Sequence, residues 1–210
     1  MKKASEKNIE RLLKYMEFAK EKINADGHFI FSHELASAVG VSPEQVRRDL
    51  MSLDISGIPQ KGYPLKEFLT EITSHLKCDK VTQVVLVGLG HLGKAILSHF
   101  MKIRPQLSIV ATFDIDPEKT KRVYSGCMIF HTNSMPKVIK SKKATVAIIT
   151  VPAEHAQETA DLLIKAGIKG IINFAPIKLN VPEDVFVEQV DITLSIEKTA
   201  YFAEDSNKEK

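Results

Sequence analysis

The sequence predicts an α/β fold in which a small, mainly helical domain precedes a doubly wound parallel sheet. The first observation is an apolar run, Val84–Val87, that leads straight into a glycine-rich loop and a helical pattern over residues 94–102. The second is the alternation, after that loop, of short apolar runs with amphipathic patterns, which is typical of a parallel sheet. The third is the preceding region, residues 6–76, where helical patterns dominate.

The first helix is predicted over residues 6–23, where apolar residues recur at helical spacing among Lys, Arg and Glu. A short strand, Phe29–Phe31, is expected to follow. Ser32 then stands where a helix N-cap is expected, and the helical pattern of residues 33–39 ends at Gly40. The chain is therefore predicted to begin as a helix, a short strand and a second helix.

The start of the next helix carries three separate signals. Ser42 is the expected N-cap, Pro43 suits the first helical position, and Gln45 stands where it would complete a capping box. Val46 and Leu50 define an apolar face. Two short helices joined by a tight turn form a helix-turn-helix, the motif that presents its second helix to the major groove of DNA.

The polar side of this second helix carries side chains suited to DNA, since arginine forks match guanine edges or phosphates. The alternative is a solvated face on which Asp49 pairs with the arginines. Net charge does not decide, because it is only +3 and residues 1–78 carry 12 Lys and Arg against 11 Asp and Glu. The candidate DNA-binding residues are Ser42, Gln45, Arg47, Arg48, Ser52 and Lys61.

A turn-rich segment after the helix-turn-helix predicts the wing of a winged-helix domain. Residues 57–63 contain Pro59 and Gly62, and Lys61 lies where a wing contacts phosphate. Apolar residues over 65–76 then predict a linking helix. The winged-helix DNA-binding domain is expected to span residues 1–78.

The run Gly88–Gly93 has the G-x-G-x-x-G spacing of a dinucleotide-binding loop. Gly88 would allow the tight turn, Gly90 would let the backbone approach a pyrophosphate, and Gly93 would let the helix pack closely on the strand. A second apolar run ends in Asp114, where a carboxylate would accept hydrogen bonds from the adenosine ribose and favour NAD over NADP. The alternative is a glycine-rich turn in an α/β domain that binds no dinucleotide.

The rest of this half is expected to form a Rossmann-type domain over residues 79–190. Strands are predicted near residues 128–130, 145–150, 170–173 and 185–187, helices over 135–142 and 154–166, and a loop over 114–126. Turn residues follow two strands at the edge where ligands bind, so Val151–Pro152 and Ala175–Pro176 are expected beside the nicotinamide. The candidate cofactor-binding residues are Gly88, Leu89, Gly90, His91, Leu92, Gly93, Asp114, Thr150, Val151, Pro152, Asn173, Ala175 and Pro176.

The sequence predicts neither a catalytic group nor a metal site. His155 is the best candidate for proton transfer, but a histidine at a helix start is more typical of a surface position. About 20 residues follow the sheet, too few for a substrate domain. Cys78 and Cys127 fit no disulfide framework and indicate reduced thiols, and no apolar run suits a membrane span or a signal peptide. A cytoplasmic protein without turnover is expected.

The pattern as a whole resembles the Rex family of redox-sensing transcriptional repressors, from about Ile9 to Phe202. The likeness rests on residues 35–36, 41–50, 62–63, 87–93, 113–117, 148–154, 167–171, 173–176 and 190–193. It implies a homodimer in which the C-terminal helix, within residues 191–210, is swapped onto the partner subunit. It also implies an NAD(H) site in each Rossmann domain, double-stranded operator DNA as a partner, and DNA release when NADH binds.

The resemblance assigns three switch residues as well. Asp191 matches the acid that begins the swapped helix in the family, and Arg11 corresponds to the arginine with which that acid pairs in one state. His99 stands where some members have a tyrosine. The chain departs from the family pattern over residues 51–61, where an aromatic- and glycine-rich wing is common, so the operator sequence stays open.

Two other functions compete with that of a redox sensor. A small NAD-dependent oxidoreductase would use His155 as its proton-transfer group. A module for another adenine nucleotide would be similar to the CoA-binding domains, which the sheet half also resembles. Neither function needs a helix-turn-helix, and this favours the DNA-binding sensor.

Overall fold

The computed structural model describes residues 5–103 and 107–205. The chain divides into two compact units, Met1–Lys80 and Val81–Lys210. Each unit has its own hydrophobic core, as independently packed domains do. The end of the predicted C-terminal segment, residues 206–210, lies outside the described residues.

Helices dominate the first unit. Its described elements are, in chain order, α1 (Glu6–Asn24), β1 (Phe29–Ile30), α2 (Ser32–Val39), α3 (Pro43–Met51), β2 (Tyr63–Pro64) and α4 (Leu65–His75). The two strands pair antiparallel, and a turn bridged by Ile58 and Gly62 precedes β2, as the sequence predicts. The core is built from fully buried side chains of the four helices, among them Tyr15, Leu50 and Phe68.

Two of the predicted cap interactions are wrong. Ser32 is the first residue of α2, and the cap position is Phe31. Ser42 does cap α3 by accepting the Gln45 N–H at 3.2 Å, but the Gln45 side chain does not return to close the capping box. Its N–H donates to the buried Asp49 carboxylate, and its oxygen, which would have to close the box, accepts Arg48 instead.

The second unit alternates strand and helix. Its described elements are β3 (Thr82–Val87), α5 (His91–Ile103), β4 (Leu107–Asp114), β5 (Val123–Tyr124), β6 (Cys127–His131), a 3-10 turn (Thr132–Ser134), α6 (Met135–Lys142), β7 (Val146–Ile149), α7 (Ala153–Lys165), β8 (Gly170–Asn173), β9 (Phe186–Gln189) and α8 (Ile192–Asp205). Within the described residues the sheet order is β5-β6-β4-β3-β7-β8-β9. Apart from β5, all neighbours pair parallel.

This strand order confirms the predicted α/β doubly wound fold. Without the edge strand β5, it is the 3-2-1-4-5-6 order of dinucleotide-binding domains. In that fold the order in which strands are added to the sheet reverses between the first and fourth strands. Here those strands are β3 and β7. Ligands bind at the carboxyl ends of the strands beside such a reversal, which places the glycine loop after β3 at the expected position.

The strand β5 was not expected from the sequence. The segment expected as a loop, residues 114–126, contains β5, which forms a hairpin with β6 through a turn at Ser125 and Gly126. Both turn residues have positive φ, as tight hairpin turns require. A two-residue strand leaves almost no alternation pattern, so only its pairing with β6 reveals it.

The last helix, α8, packs differently from the others. None of its residues is buried. Five large apolar or aromatic side chains are between 54% and 64% exposed, namely Ile192, Leu194, Ile196, Tyr201 and Phe202. A helix with so much apolar surface and no buried face needs a further surface to cover it.

Candidate functional site

The glycine loop between β3 and α5 is the first candidate site. Gly88 has a φ of +96°, and a Cβ there would lie 2.8 Å from the Thr150 carbonyl oxygen. The Thr150 hydroxyl in turn donates to the Gly88 carbonyl at 2.7 Å. The tight turn predicted at Gly88 is therefore confirmed, and the residue after β7 holds it in place.

The other two motif glycines differ in what surrounds them. A Cβ at Gly93 would lie 2.1 Å from the Gly88 carbonyl oxygen, whereas a Cβ at Gly90 would meet nothing within 4 Å. Gly93 therefore permits the close approach of α5 to the loop, as predicted. Gly90 leaves an exposed stretch of backbone near the amino end of α5, where N–H groups and the helix dipole favour an anion such as a pyrophosphate.

Asp114 ends β4 beside this loop and is only 6% exposed. Its carboxylate accepts the Leu89 N–H at 2.8 Å, the Asp116 N–H at 2.9 Å and the Lys119 ammonium at 3.2 Å. Burial tends to raise the pKa of Asp114, but these donors outweigh it and hold the pKa below its ordinary value. The carboxylate is thus ionised, fixed and adjacent to the glycine loop.

A salt bridge ties Lys119 to the start of the loop that follows β4. Its ammonium bridges Asp114 and Asp116, with the second contact at 3.7 Å. The spacing of the two aspartates and the lysine, at i, i+2 and i+5, was the only signal in the sequence for this bridge.

A cavity of about 580 Å³ joins these features. It brings together Gly88, Gly90, Asp114, Thr150, Val151 and Pro152, all of which the sequence predicted. Residues that the sequence did not assign to the cofactor line it as well, namely Val87, Ile115, Lys119, Thr132, Met135, His155, Glu158, Thr159 and Leu162. Its size and mainly apolar lining suit part of a dinucleotide.

The two loops predicted beside the nicotinamide line different cavities. Val151–Pro152 lines the same cavity as Asp114, and its place beside the nicotinamide stays a prediction. Asn173 is fully buried, and its amide donates to the Ala175 carbonyl and the Gln189 side chain. It therefore holds its own loop together. Pro176 lines a separate cavity of about 570 Å³ with Asp191 and Gln189.

The second candidate site is the exposed side of α3. Arg47 donates to the Ser32 hydroxyl at 3.1 Å and to Glu44 at 2.7 Å, while Arg48 donates to the side-chain oxygen of Gln45 at 3.1 Å. Both arginines are exposed. The Ser52 and Lys61 side chains are exposed in the same unit, and Arg47 shares a cleft with residues 55–60 of the wing.

The alternative in which Asp49 pairs with the arginines of α3 is wrong. Asp49 is 4% exposed and points toward α1, where it accepts two bonds from Arg11, from Nε and from Nη2, each at 2.7 Å. Asn8 and Tyr15 of α1 donate to the same carboxylate at 3.0 and 3.1 Å. Arg11 and Asp49 are 38 residues apart, so no local pattern in the sequence predicts that they pair.

The structure places the three predicted switch residues on different elements. Arg11 lies on α1 and is engaged by Asp49. His99 lies exposed on α5. Asp191 caps α8, where its carboxylate accepts the Leu194 N–H at 2.8 Å. Their coupling stays a prediction.

Other chemistry is limited among the described residues. Cys78 and Cys127 are both free thiols, and burial raises the pKa of Cys127. The part of the chain that the structure describes has no group of three or more His, Cys, Asp or Glu placed to hold a metal ion. None of its helices has the length and apolar character that a membrane span requires.

Two family descriptions match parts of the chain. Residues 79–177 match the family described as "CoA binding domain", and residues 3–50 match the family described as "Putative DNA-binding protein N-terminus". The first match covers the glycine loop and Asp114, and the second covers α1 to α3. The two matches therefore fall on the two candidate sites.

Relatives and solved structures cover nearly the whole chain. The redox-sensing transcriptional repressor Rex of Syntrophobacter fumaroxidans is 39% identical over 92% of both proteins, and that of Natranaerobius thermophilus is 33% identical over 96% of this chain and 92% of the relative. A crystal structure of RSP in complex with β-NAD⁺ and operator DNA is 30% identical, covers 99% of this chain and 95% of RSP, and has a TM-score of 0.90. RSP in complex with β-NADH is 31% identical, covers 99% and 97%, and has a TM-score of 0.83. With a helix-turn-helix unit, a dinucleotide-type pocket and full-length relatives at this identity, the chain belongs to the Rex family of redox-sensing transcriptional repressors.

Proposed function

We propose that this protein is a repressor that binds operator DNA through its amino-terminal unit and releases it when NADH occupies the pocket of the second unit. The observation that carries this is the presence, in one chain, of a helix-turn-helix and a glycine loop with a buried ribose-type carboxylate, Asp114. RSP, which shares this fold, is known in complex with β-NAD⁺ and operator DNA and with β-NADH.

Asp114 argues against CoA and NADP as the preferred ligands. Both carry a phosphate on the adenosine ribose, and an ionised carboxylate in a buried site repels it. The hydroxyls of an unsubstituted ribose would instead donate to this carboxylate. The match to a CoA-binding domain therefore reflects the shared fold, and NAD(H) is the cofactor that we assign.

An oxidoreductase is the weaker alternative. Catalysis would need a proton-transfer group close to the reacting carbon. His155 lines the cavity, but no hydrogen bond from another side chain orients it for proton transfer among the described residues, and a histidine at a helix start is more typical of a surface position. We assign no catalytic residue, and His155 is a lining residue.

The assignment of units and sites follows from this function. The winged-helix unit reads DNA through Ser42, Arg47, Arg48, Ser52 and Lys61, and the Rossmann unit binds NAD(H) through the loop Gly88–Gly93, Asp114 and Thr150–Pro152. Residues 173–176 form a loop that the Asn173 side chain holds together. A repressor works where the chromosome lies, so the protein is assigned to the cytoplasm of a bacterial cell.

The same function calls for a homodimer. Helix α8 exposes apolar side chains along its length and buries none, so we propose that a second copy of the chain covers it in a swapped arrangement. Two helix-turn-helix units in a symmetric dimer match two half-sites about one turn of DNA apart. A change in their spacing would weaken both contacts at once.

The switch depends on a difference in affinity. NADH and NAD⁺ differ by a hydride and by the positive charge on the nicotinamide ring, and a ligand shifts a two-state equilibrium only by its preference for one state. The reduced cofactor must therefore favour the arrangement that does not fit DNA. Arg11, His99 and Asp191 are the residues predicted to couple the two states.

The experiment is DNA binding at a fixed, stated salt concentration. The protein first selects duplexes from a random pool in the presence of NAD⁺, and the affinity for the best duplex is then measured with NAD⁺, NADH, NADPH and CoA. We expect NADH to weaken binding at least tenfold and CoA to have no effect. Equal affinities with NADH and NAD⁺, or tighter binding of CoA than of NADH by the protein, would overturn the proposal.

A further inference from the structure

Gln45 connects the exposed face of α3 to a buried carboxylate. Its side-chain N–H donates to Asp49 at 2.8 Å, and its side-chain oxygen accepts Arg48 at 3.1 Å. An amide is suited to this position because one end donates and the other accepts. The negative charge of Asp49 holds the N–H group of the Gln45 amide toward the core. The oxygen of the same amide therefore faces the Arg48 guanidinium.

Asp49 is itself held from α1. Its two oxygens accept five hydrogen bonds of 2.7 to 3.1 Å, from Asn8, Arg11, Tyr15 and Gln45. Arg11 supplies two of them in the planar, two-point geometry that fixes orientation as well as distance. A carboxylate that is 4% exposed and so fully engaged cannot turn outward to pair with Arg48. It acts on Arg48 only through Gln45.

Neighbouring contacts on α3 show that this arrangement belongs to one arginine only. Arg47 is engaged by Glu44 and by Ser32, and both partners are on the surface. Arg48 has instead a neutral acceptor that is anchored to the core. A neutral partner orients a guanidinium without neutralising it, so the arginine keeps its full charge and its other donors for an incoming acceptor.

We propose that Asp49 and Gln45 are positioning residues that hold Arg48 in place to read a base edge, and that Gln45 does not itself read DNA. This inference rests on the proposed DNA-binding function. An exposed arginine loses rotamer freedom when it binds, and a side chain fixed in advance loses less. A guanidinium held in one plane also matches the paired acceptors of guanine better than those of other bases.

The test is base discrimination by the full-length protein. The duplex selected by the wild-type protein with NAD⁺, and its single base-pair variants, are titrated with wild type, Arg48→Ala, Gln45→Met and the double variant. Methionine keeps the length and helix propensity of glutamine but neither donates to Asp49 nor offers a carbonyl to Arg48. Glu44→Gln is the matched control, because it changes the i, i+3 partner of the adjacent Arg47.

We expect Arg48→Ala to lose about tenfold or more in discrimination at one base pair of each half-site. Gln45→Met should lose several-fold at the same base pair, and should change discrimination less than twofold when Arg48 is already alanine. Glu44→Gln should leave discrimination at that base pair unchanged. Independent, multiplicative effects of Gln45→Met and Arg48→Ala would overturn the proposal, as would wild-type discrimination in Gln45→Met.

A measurement without DNA separates this inference from the function on which it rests. The mobility of the Arg48 Nε–H bond, measured by ¹⁵N relaxation in the free protein, should rise in Gln45→Met and not in Glu44→Gln. Unchanged mobility would overturn the positioning role even if the protein binds operator DNA. Failure of the wild-type protein to select any sequence would instead count against the repressor function. If Gln45→Met melts too early to be studied, Gln45→Ala serves in its place.

Discussion

Buried carboxylates organise both candidate sites at the scale of single residues. Asp49 and Asp114 are each less than 7% exposed, and each accepts at least one hydrogen bond from a residue more than 20 positions away in the chain. Burial by itself raises the pKa of either group, but the donors hold both pKa values below the ordinary range. Both groups are therefore ionised at neutral pH and depend on the partners that surround them.

Replacement of Arg11 should lower the free energy of unfolding and should make it depend less on pH in the acid range. Arg11→Ala is expected to lower the free energy of unfolding by about 2 kcal/mol at pH 7, because it leaves a buried carboxylate with only neutral donors. The pKa of Asp49 is lower in the folded protein than in the unfolded chain. The stability that the ionised Asp49 contributes is therefore fully present above the unfolded pKa, and it is lost as the pH falls through the folded pKa. The difference between wild type and variant should therefore shrink below about pH 4.

Urea unfolding at a series of pH values measures this difference. Lys14→Ala on the same helix is the control, because it removes an exposed pair with Glu10 and should leave stability essentially unchanged at every pH. A gap that stays constant from pH 7 to pH 3 would show that Arg11 stabilises by packing and not through the Asp49 charge.

Asp114 should decide which nucleotide the pocket prefers. Asp114→Ser removes the ribose acceptor and frees Lys119 to meet a phosphate, so NADH affinity should fall about tenfold while NADPH affinity rises or stays the same. Fluorescence titration with both nucleotides measures the ratio. Asp116→Asn is the control, since Asp116 contacts the same lysine but does not line the cavity. A change in NADH affinity of less than twofold in Asp114→Ser would rule out the ribose role.

At the scale of elements, the start of α5 combines close packing with an open backbone. One glycine, Gly93, permits the close packing, and another, Gly90, leaves the backbone open. Gly93 faces the carbonyl of Gly88, so the first turn of the helix can approach the loop. Gly90 faces open space, so the backbone is accessible to a ligand.

Alanine at these two positions should therefore give opposite results. Gly93→Ala forces a methyl group against backbone that cannot move aside, so the free energy of unfolding should fall by about 3 kcal/mol. Gly90→Ala should change the free energy of unfolding by less than about 0.5 kcal/mol, so the melting temperature should stay within about 2 °C of the wild-type value. The same substitution should weaken NADH binding at least tenfold. Thermal melts and NADH titration of both variants check this. A stable Gly93→Ala protein with normal NADH affinity would contradict the packing role.

At the scale of the whole molecule, the main feature is that helix α8 has no buried residues. Helix α8 ends the second unit and exposes apolar side chains on more than one side. Single chains rarely leave such a surface in water, because each buried leucine or isoleucine is worth about 2 kcal/mol. The proposed swapped dimer would bury this surface on a second copy.

A charge on α8 should therefore separate the two copies without unfolding them. Ile196→Lys is expected to reduce the mass in solution from that of a dimer to the 23.4 kDa of one chain, because the lysine would have to be buried unpaired at the interface. Light scattering after gel filtration measures this, and DNA affinity should fall at least a hundredfold as two half-site contacts become one. Glu197→Gln is the control. A wild-type protein that is monomeric at micromolar concentration would refute the dimer.

Local patterns were sufficient to predict most of the fold and part of the nucleotide site. Ser42 and Pro43 signalled the start of α3, and Gly88, Gly90 and Gly93 identified the loop and its neighbour Asp114, because caps and tight turns depend on residues only a few positions apart. The β5 strand was missed because two residues carry no period. The bridge of Lys119 to Asp114 and Asp116 could not be predicted, because a cation near an acid in sequence does not show which groups pair.

The sequence by itself determined most of the order of elements, the glycine loop and the family resemblance, since each depends on residue types at short spacing. Only the tertiary structure decided where Asp49 and Gln45 point, that Val151–Pro152 shares a cavity with Asp114, and that Asn173 serves its own loop. Asp49 turns toward Arg11, which lies 38 residues away, and Asn173 also meets Gln189, 16 residues away. Such meetings are a property of packing and not of any local pattern.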